Sequence, residues 1–151
     1  QLGPTSGSMG YSVPAAVAAK IAEPEPTVVA LAGHGEFLMN RQELATARQH
    51  GAPIVVLVVN NGMYGTIRMH QEREYPGRVS GTALENPDFA AYARAFGCHG
   101  ETVERTADFA PAFERSLASG KPAVVELRID PEAITPATTL AALRAAALKN
   151  R

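Results

Sequence analysis

Two short segments rich in glycine and asparagine contain the residues whose types best suit chemistry. GHG (33–35) follows the apolar run 27–32, and NNGMYG (60–65) follows the apolar run 53–59. A Gly-x-Gly turn that runs into a helix exposes backbone N–H groups and lets a phosphate approach closely. Asparagine and backbone carbonyl oxygens are hard ligands that suit magnesium or calcium. Either segment alone fits an ordinary tight turn equally well, but the two together are more specific.

The surrounding elements predict how these segments are positioned. The hydrophobic pattern predicts strands over 27–32, 53–61, 99–103 and 123–129. It predicts helices over 14–22, 40–51, 63–74, 88–97, 106–118 and 138–150. The first two strands are continuous apolar runs, which is typical of strands buried on both faces. The alternation predicts an α/β fold, a doubly wound parallel sheet with helices on both faces, in which ligands bind beyond the carboxyl ends of the strands.

Composition limits the class of protein. The chain has 151 residues, of which 46% are hydrophobic and 19% charged, as in one globular domain. A net charge of -1 gives no electrostatic footprint for nucleic acid or for an anionic membrane. The single cysteine, Cys98, excludes an internal disulfide and fits a reducing, cytoplasmic location. Because the chain begins with Gln1 in a loop-like segment, we expect it to be part of a longer polypeptide.

The motifs in their order resemble the C-terminal, diphosphate-binding domain of thiamine diphosphate-dependent enzymes. That family has a Gly-Asp-Gly turn followed by a doubled asparagine, and here Asn61 follows His34 by 27 positions. GSMG (7–10) resembles the family's Gly-x-hydrophobic-Gly segment, and residues 42–71 resemble its acetolactate-synthase-like branch. The likeness runs from Gly7 to Pro131. We therefore expect an N-terminally incomplete cofactor domain over 1–131, and a linker with a C-terminal helix over 132–151.

The resemblance implies roles at the diphosphate end of the cofactor. Asn61 would offer its side-chain oxygen, and Met63 its backbone carbonyl, to a magnesium ion. Gly35 and Glu36 would donate backbone N–H groups to the diphosphate. The residues that would close over the same phosphates are Tyr64, Gly65 and Thr66.

The resemblance also implies roles at the ring end, and a reaction. The Gly7 carbonyl would accept a hydrogen bond from the aminopyrimidine, and Met9 would hold the cofactor bent, although a buried core position is the alternative for Met9. The implied substrate is a 2-keto acid, which is decarboxylated and then joined to an acceptor or protonated. The activating glutamate would come from a pyrimidine-binding domain of a neighbouring subunit in a homodimer or homotetramer. This chain would then hold no catalytic residue and be inactive alone.

One position departs from the family pattern, because His34 stands where the family has aspartate. Magnesium prefers oxygen ligands, whereas imidazole suits zinc, nickel or copper better. The metal is therefore expected to be Mg²⁺ or another divalent ion, with His34 a doubtful ligand. His34 is either a natural variant with altered metal dependence, an introduced change, or a sign that cofactor binding is lost.

Other residues and functions stay as alternatives. His50, His70 and His99 lack convergent partners and are interpreted as surface or turn residues, and Cys98 as structural. A simple 2-keto acid decarboxylase is the alternative within the same class. A non-catalytic structural domain that has lost metal binding through His34 is the alternative outside it. A generic nucleotide-binding domain ranks last, since the chain lacks a GxGxxG motif and a P-loop lysine.

Overall fold

A computed structural model describes residues 1–150. The chain forms two compact units, one from residues 1–60 and 87–128 and the other from 61–86 and 129–150. The boundary expected at residue 131 stays a prediction. No helix within residues 1–150 is long and apolar enough to cross a membrane.

The elements are as follows. The helices are α1 (Ser12–Ala22), α2 (His34–Asn40), α3 (Leu44–Gln49), α4 (Gly65–Glu74), α5 (Phe89–Ala95), α6 (Thr106–Ala118) and α7 (Leu140–Lys149), with a 3-10 turn over Arg41–Glu43. The strands are β1 (Val28–Gly33), β2 (Ile54–Asn60), β3 (His99–Val103), β4 (Ala123–Arg128), β5 (Ala133–Thr135) and β6 (Thr138–Thr139).

The first unit is built on a four-stranded parallel sheet in the order β1-β2-β4-β3. The β-branched run of β2 suits a central strand. Val28 is opposite Ile54 and Gly33 is opposite Val59, so β1 and β2 end side by side. The predicted parallel α/β sheet is confirmed, and its first two carboxyl ends are neighbours.

Helices cover both faces of this sheet. One core cluster joins Ala30, Val56 and Val124 to residues of α1, α2, α3 and α5. Within it, Phe37 of α2 meets Phe89 of α5 edge to face, with 5.5 Å between ring centroids. The second cluster joins the opposite side of β2, β3 and β4 to α6. The predicted two-sided covering is therefore confirmed.

The prediction that β1 is buried on both faces is wrong. Leu31 is 70% exposed and Val29 is 44% exposed. The reason is position in the sheet: β1 is an edge strand, and α6 packs against β3 and β4. The same prediction holds for β2, where Ile54 and Val56 are fully buried.

The predicted helix over 40–51 is wrong in its start and continuity. A helix already begins at His34, directly after β1, and a 3-10 turn separates it from α3. At Asn40 the backbone leaves the helical region, with φ of −133°. The side-chain amide of Asn40 instead donates to the Gly10 carbonyl at 2.8 Å, which fixes this break.

In the second unit, two further boundaries differ from the sequence prediction. α4 begins at Gly65 rather than 63, because Met63 forms an isolated antiparallel bridge with Ala83. The expected linker before α7 contains the short β5–β6 hairpin. α7 begins at Leu140 because the Thr139 hydroxyl caps it, accepting from Ala142 N–H at 3.1 Å.

A buried carboxylate joins α4 to α7 in this unit. Glu72 is fully buried and accepts from Arg144 Nη2 at 2.5 Å, from Arg68 Nε at 2.9 Å and from Gly77 N–H at 3.0 Å. Hydrogen bonds from Arg144, followed by those from Gly77 and Arg68, lower the pKa of Glu72 to about 2 against the opposing effect of burial.

Candidate functional site

A cavity of about 610 Å³ in the first unit is bounded by the N-terminal segment, α1 and the β1 edge. Its lining includes Gly7, Met9 and Glu36, three of the residues predicted to bind cofactor. Gly33 lines it where β1 ends. Apolar residues form much of the remaining wall, among them Ala15, Ala19, Val29 and Leu31. Such a concave, mostly apolar site with a few polar groups is typical of a cofactor site.

Two glycines shape the N-terminal wall of this cavity. Gly7 has φ of +65° and donates its N–H to Pro4 O at 3.2 Å, which closes a tight turn. Gly10 has φ of +85°, and a Cβ there would lie 2.8 Å from Asn40 Nδ2. Met9 lies between them and is 44% exposed. The core alternative for Met9 is therefore wrong.

The β1–α2 turn joins strand and helix without any intervening loop. β1 ends at Gly33 and α2 starts at His34, with no side-chain cap on the helix. The N–H groups of a first helical turn have no acceptor inside the helix. Gly33 has φ of −68°, and a Cβ there would meet no atom within 4 Å. The fold of this unit therefore does not require glycine at 33, whereas close approach of a ligand would.

His34 is buried, at 3% exposure, and one of its ring nitrogens is unpaired. Nδ1 lies 3.1 Å from the Val59 carbonyl, which can only accept, so we assign the proton to Nδ1. Nε2 is buried and has no hydrogen-bond partner within residues 1–150. A buried acceptor left unpaired costs about 1–3 kcal/mol. A ring fixed by Nδ1–H on a carbonyl, with a free Nε2 lone pair, is the arrangement found in metal-bound histidines.

Asn60, at the end of β2, forms a hydrogen bond with a buried carboxylate. Its Nδ2 donates to Glu126 Oε1 at 2.7 Å, and Thr102 Oγ1 donates to the other carboxylate oxygen at 3.1 Å. Glu126 is only 1% exposed. Sequence analysis did not single out Glu126, although a charged residue inside the apolar strand AVVELRI was a visible signal. Asn60 is thus held in place from inside the sheet.

The asparagine-glycine loop of the second unit is organised by its own contacts. Asn61 Oδ1 accepts from Met63 N–H at 3.2 Å, which leaves one of its two lone pairs. Tyr64 N–H donates to Thr82 O at 2.9 Å, so the loop is tied to the segment 82–84. A Cβ on Gly65 would lie 2.8 Å from Asn61 Nδ2. The local-turn interpretation of Asn61 is therefore correct as far as it goes, and one lone pair stays available.

The predicted site residues fall into two groups by unit. The first unit holds Gly7, Met9, His34, Gly35 and Glu36. The second unit holds Asn61, Met63, Tyr64, Gly65 and Thr66. Within residues 1–150, no cluster of three or more His, Cys, Asp or Glu side chains suits a metal ion. A metal would therefore need asparagine or backbone oxygens as well, as the sequence predicts.

The remaining histidines and the cysteine lie elsewhere. His50 and His70 are exposed, as predicted. The prediction for His99 is wrong, because it begins β3, is half-buried and places Nε2 at 2.7 Å from Glu101 Oε1. Burial raises the pKa of the Cys98 thiol, so this thiol is a poor nucleophile at neutral pH.

Comparisons with known proteins identify the family. Residues 3–127 match the family "Thiamine pyrophosphate enzyme, C-terminal TPP binding domain". The chain is 38% identical over 125 residues to the acetolactate synthase isozyme 2 large subunit of Escherichia coli K12, covering 82% of this chain and 23% of that protein. It is 38% identical over 134 residues to the putative thiamine pyrophosphate-containing protein YdaP of Bacillus subtilis, covering 85% and 22%.

A solved structure is similar in fold as well as in sequence. The thiamine diphosphate-dependent 4-hydroxybenzoylformate decarboxylase of Rhodococcus jostii RHA1 superposes with a TM-score of 0.78 at 34% identity, over 84% of this chain and 24% of that one. The chain belongs to the C-terminal, cofactor-binding domain family of thiamine diphosphate enzymes, in the acetolactate-synthase-like branch. It spans about a quarter of the length of these relatives.

Proposed function

We propose that this chain binds the diphosphate end of thiamine diphosphate through a divalent metal, as the cofactor domain of a 2-keto acid carboligase or decarboxylase. The observation that carries the proposal is Gly33. It lines the cavity at the end of β1, has an ordinary φ and has open space where a Cβ would lie. A glycine that the fold does not need, beside first-turn N–H groups that have no acceptor inside their own helix, suits an approaching diphosphate.

The diphosphate is assigned to backbone donors. Gly35 and Glu36, in the first turn of α2, donate their N–H groups to its oxygens. Tyr64, Gly65 and Thr66 close over the same phosphates at the start of α4. Because Gly35 and Glu36 belong to a helix start, their N–H groups carry the partial positive charge that favours an anion.

The ring end is assigned to the N-terminal segment. The Gly7 carbonyl accepts from the exocyclic nitrogen of the aminopyrimidine, and Met9 supports the bent cofactor. The exposure of Met9 at the cavity wall supports this role, since a methionine there gains burial when a ligand binds.

The metal is assigned to the Asn61 side-chain oxygen, the Met63 carbonyl and His34 Nε2. The unpaired Nε2 lone pair fits a divalent ion, but the nitrogen donor fits zinc, nickel or copper better than magnesium. The cofactor is therefore thiamine diphosphate with Mg²⁺ or another divalent metal. When bound, the cofactor supplies the carbon nucleophile that attacks the keto group of a 2-keto acid.

The complete enzyme needs more than this domain. The activating glutamate is assigned to a pyrimidine-binding domain of a neighbouring subunit in a homodimer or homotetramer, so the present chain alone is inactive. The location is assigned to the cytoplasm, in keeping with a free, buried Cys98.

The test is a calorimetric titration of the protein with thiamine diphosphate in the presence of Mg²⁺ and, separately, Mn²⁺. We expect saturable binding that chelation of the metal abolishes. Absence of saturable binding with either metal would reject the proposal and support the non-catalytic alternative, which His34 favours. In the complete enzyme, activity on 4-hydroxybenzoylformate without carboligation would support simple decarboxylation, which the similarity to the Rhodococcus decarboxylase favours.

A further inference from the structure

We infer that Glu36 and Asn40 are positioning residues through which α2 fixes the N-terminal glycine segment, and with it the wall of the cavity that receives the ring end of the ligand. We call the contacts of these two residues with Gly10 and Ser12 the α2 clasp. The inference rests on the proposed function for the identity of the ligand, but the contacts themselves lie wholly within the first unit.

The first half of the α2 clasp is a carboxylate at the start of α1. Glu36 Oε1 accepts from Ser12 N–H at 2.9 Å and from Ser12 Oγ at 2.8 Å, and Oε2 lies 2.7 Å from the same hydroxyl. The residue before α1, Tyr11, provides no side-chain cap. Glu36 therefore acts as the missing cap from another helix, and its charge lies favourably at the positive end of α1.

The second half is an amide on the turn that precedes α1. Asn40 Nδ2 donates to the Gly10 carbonyl at 2.8 Å. The side chains of Asn40 and Met39 pack tightly against Gly10. A Cβ on Gly10 would lie only 2.8 Å from Asn40 Nδ2 and 3.2 Å from Met39 Cβ. Glu36 and Asn40 are four positions apart, so their side chains project from the same side of α2.

The α2 clasp fixes residues that line the cavity. Gly7, Ser8 and Met9 come directly before Gly10, and all three line it. The Gly7 N–H bond to Pro4 O lies inside the segment and cannot attach it to the sheet. The hydrogen bonds at Gly10 and Ser12 therefore decide where the Gly7 carbonyl and Met9 lie.

One helix thereby sets the distance between the two ends of the ligand. α2 starts at the turn assigned to the diphosphate, and the α2 clasp is formed by the side chains of Glu36 in that turn and of Asn40 in the next. Loss of the α2 clasp should affect recognition of the ring end and leave recognition of the diphosphate unchanged. A residue that merely stabilises the fold would not separate these two effects.

The test compares two probes, thiamine diphosphate and inorganic diphosphate, each with Mn²⁺, on wild-type protein and on Asn40→Ala. The expected result is roughly tenfold weaker binding of thiamine diphosphate, the size of one lost hydrogen bond, and unchanged binding of inorganic diphosphate. Gln42→Ala is the matched control, because exposed Gln42 donates to Asn40 Oδ1 at 3.4 Å but does not contact Gly10. It should bind both probes like wild type.

A second pair of variants covers the carboxylate half. Ser12→Ala removes the hydroxyl donor and keeps the N–H donor, so it should weaken thiamine diphosphate binding less than Asn40→Ala. Ser12→Thr keeps both donors and should restore wild-type affinity. Equal losses for both probes in Asn40→Ala, or no loss for either, would overturn the inference.

A ligand-free measurement separates the α2 clasp from the proposed function. Hydrogen exchange of the amides of residues 8–12 should accelerate roughly tenfold in Asn40→Ala and stay at the wild-type rate in Gln42→Ala. Unchanged exchange in Asn40→Ala would overturn the inference. Failure of wild-type protein to bind either probe would reject the proposed function, while the exchange result would still decide on the α2 clasp.

Discussion

The two glycine-containing segments, 33–36 and 61–66, differ in how their polar groups are paired. The turn 33–36 is short, follows directly from a paired strand and leaves the buried Nε2 of His34 without a partner within residues 1–150. The loop 61–66 pairs with the segment 82–84, and Asn61 Oδ1 already accepts from Met63 N–H. The turn 33–36 is held by the sheet and keeps an unpaired polar atom. The polar groups of the loop 61–66 instead find hydrogen-bond partners within the second unit.

This difference shows where a ligand has most to contribute. An unpaired buried polar atom costs free energy, so a ligand that pairs this atom gains affinity from the new hydrogen bond or metal bond. The loop 61–66 gains less from a ligand, and its geometry depends on the contacts that stabilise the second unit.

The stability of the second unit should depend on the Glu72 charge. The folded pKa of about 2 lies below the ordinary value of 4.5, so this stabilisation is complete above pH 4.5 and is lost as the pH falls towards 2. This stabilisation is at most about 3 kcal/mol, because solvent screens the partly exposed guanidinium of Arg144. Hydrogen exchange of α4 and α7 should accelerate in this pH range, and Glu72→Gln should show fast exchange already at pH 7.

The matched control is Glu74→Gln, whose carboxylate pairs with Arg73 at the surface. Surface pairs contribute little, so its exchange at pH 7 should remain near wild type. Exchange in Glu72→Gln as slow as in wild type would contradict the assigned role of Glu72.

Magnesium-dependent cofactor binding should improve in His34→Asp. A carboxylate supplies the charge and the oxygen donor that imidazole lacks, which favours Mg²⁺ by about 2 kcal/mol, or roughly thirtyfold in affinity. Calorimetry with thiamine diphosphate and Mg²⁺ measures the change. His34→Asn, which adds no charge, is the control, and equal affinity in wild type and His34→Asp would reject the prediction.

Two glycine-to-alanine substitutions should separate a ligand requirement from a folding requirement. Gly10→Ala places a side chain at a φ of +85° and a Cβ 3.2 Å from Met39 Cβ, so it should destabilise the first unit by about 1–2 kcal/mol. Gly33→Ala meets no atom within 4 Å, so stability should stay within about 0.5 kcal/mol of wild type. Denaturant melts measure both.

Cofactor titration of Gly33→Ala completes this comparison. We expect thiamine diphosphate to bind roughly tenfold more weakly, because the new methyl group occupies the space assigned to the diphosphate. Unchanged binding in a stable Gly33→Ala protein would remove the main support for the proposed function.

Asn61 should show the smallest effect on stability. Asn61→Ala loses the acceptor for Met63 N–H and should cost about 1 kcal/mol, whereas Asn61→Asp keeps an acceptor and should cost less. Thermal melts of the two variants test the difference. Asn61→Asp should also keep metal-dependent cofactor binding that Asn61→Ala loses; retention of that binding in Asn61→Ala would argue against Asn61 as a ligand.

Much of the fold was predictable because its signals are local. Continuous apolar runs predicted β1 and β2, and a glycine with positive φ ends the α3 region at Gly51, as predicted. The exposure of Leu31 was not predictable, because an apolar run does not reveal whether its strand lies at an edge. The break at Asn40 depends on a hydrogen bond to Gly10, thirty positions away.

The site was predictable in its motifs and less so in its atoms. Spacing and order identified the family, which the match over residues 3–127 confirms. The free Nε2 of His34 could not be predicted, because it depends on the β1–β2 register that brings Val59 O to Nδ1. Glu126 was missed since its partners Asn60 and Thr102 belong to other strands.

The central claim is that the turn 33–36 receives the diphosphate of thiamine diphosphate. The measurement is an NMR titration that follows the backbone amide resonances of Gly35 and Glu36 as thiamine diphosphate and Mg²⁺ are added. The Mg²⁺ contains no Mn²⁺, because paramagnetic Mn²⁺ would broaden these resonances. We predict saturable shifts of these two amides and slower hydrogen exchange, with the same changes produced by inorganic diphosphate. Unperturbed Gly35 and Glu36 amides at saturating cofactor would contradict the claim.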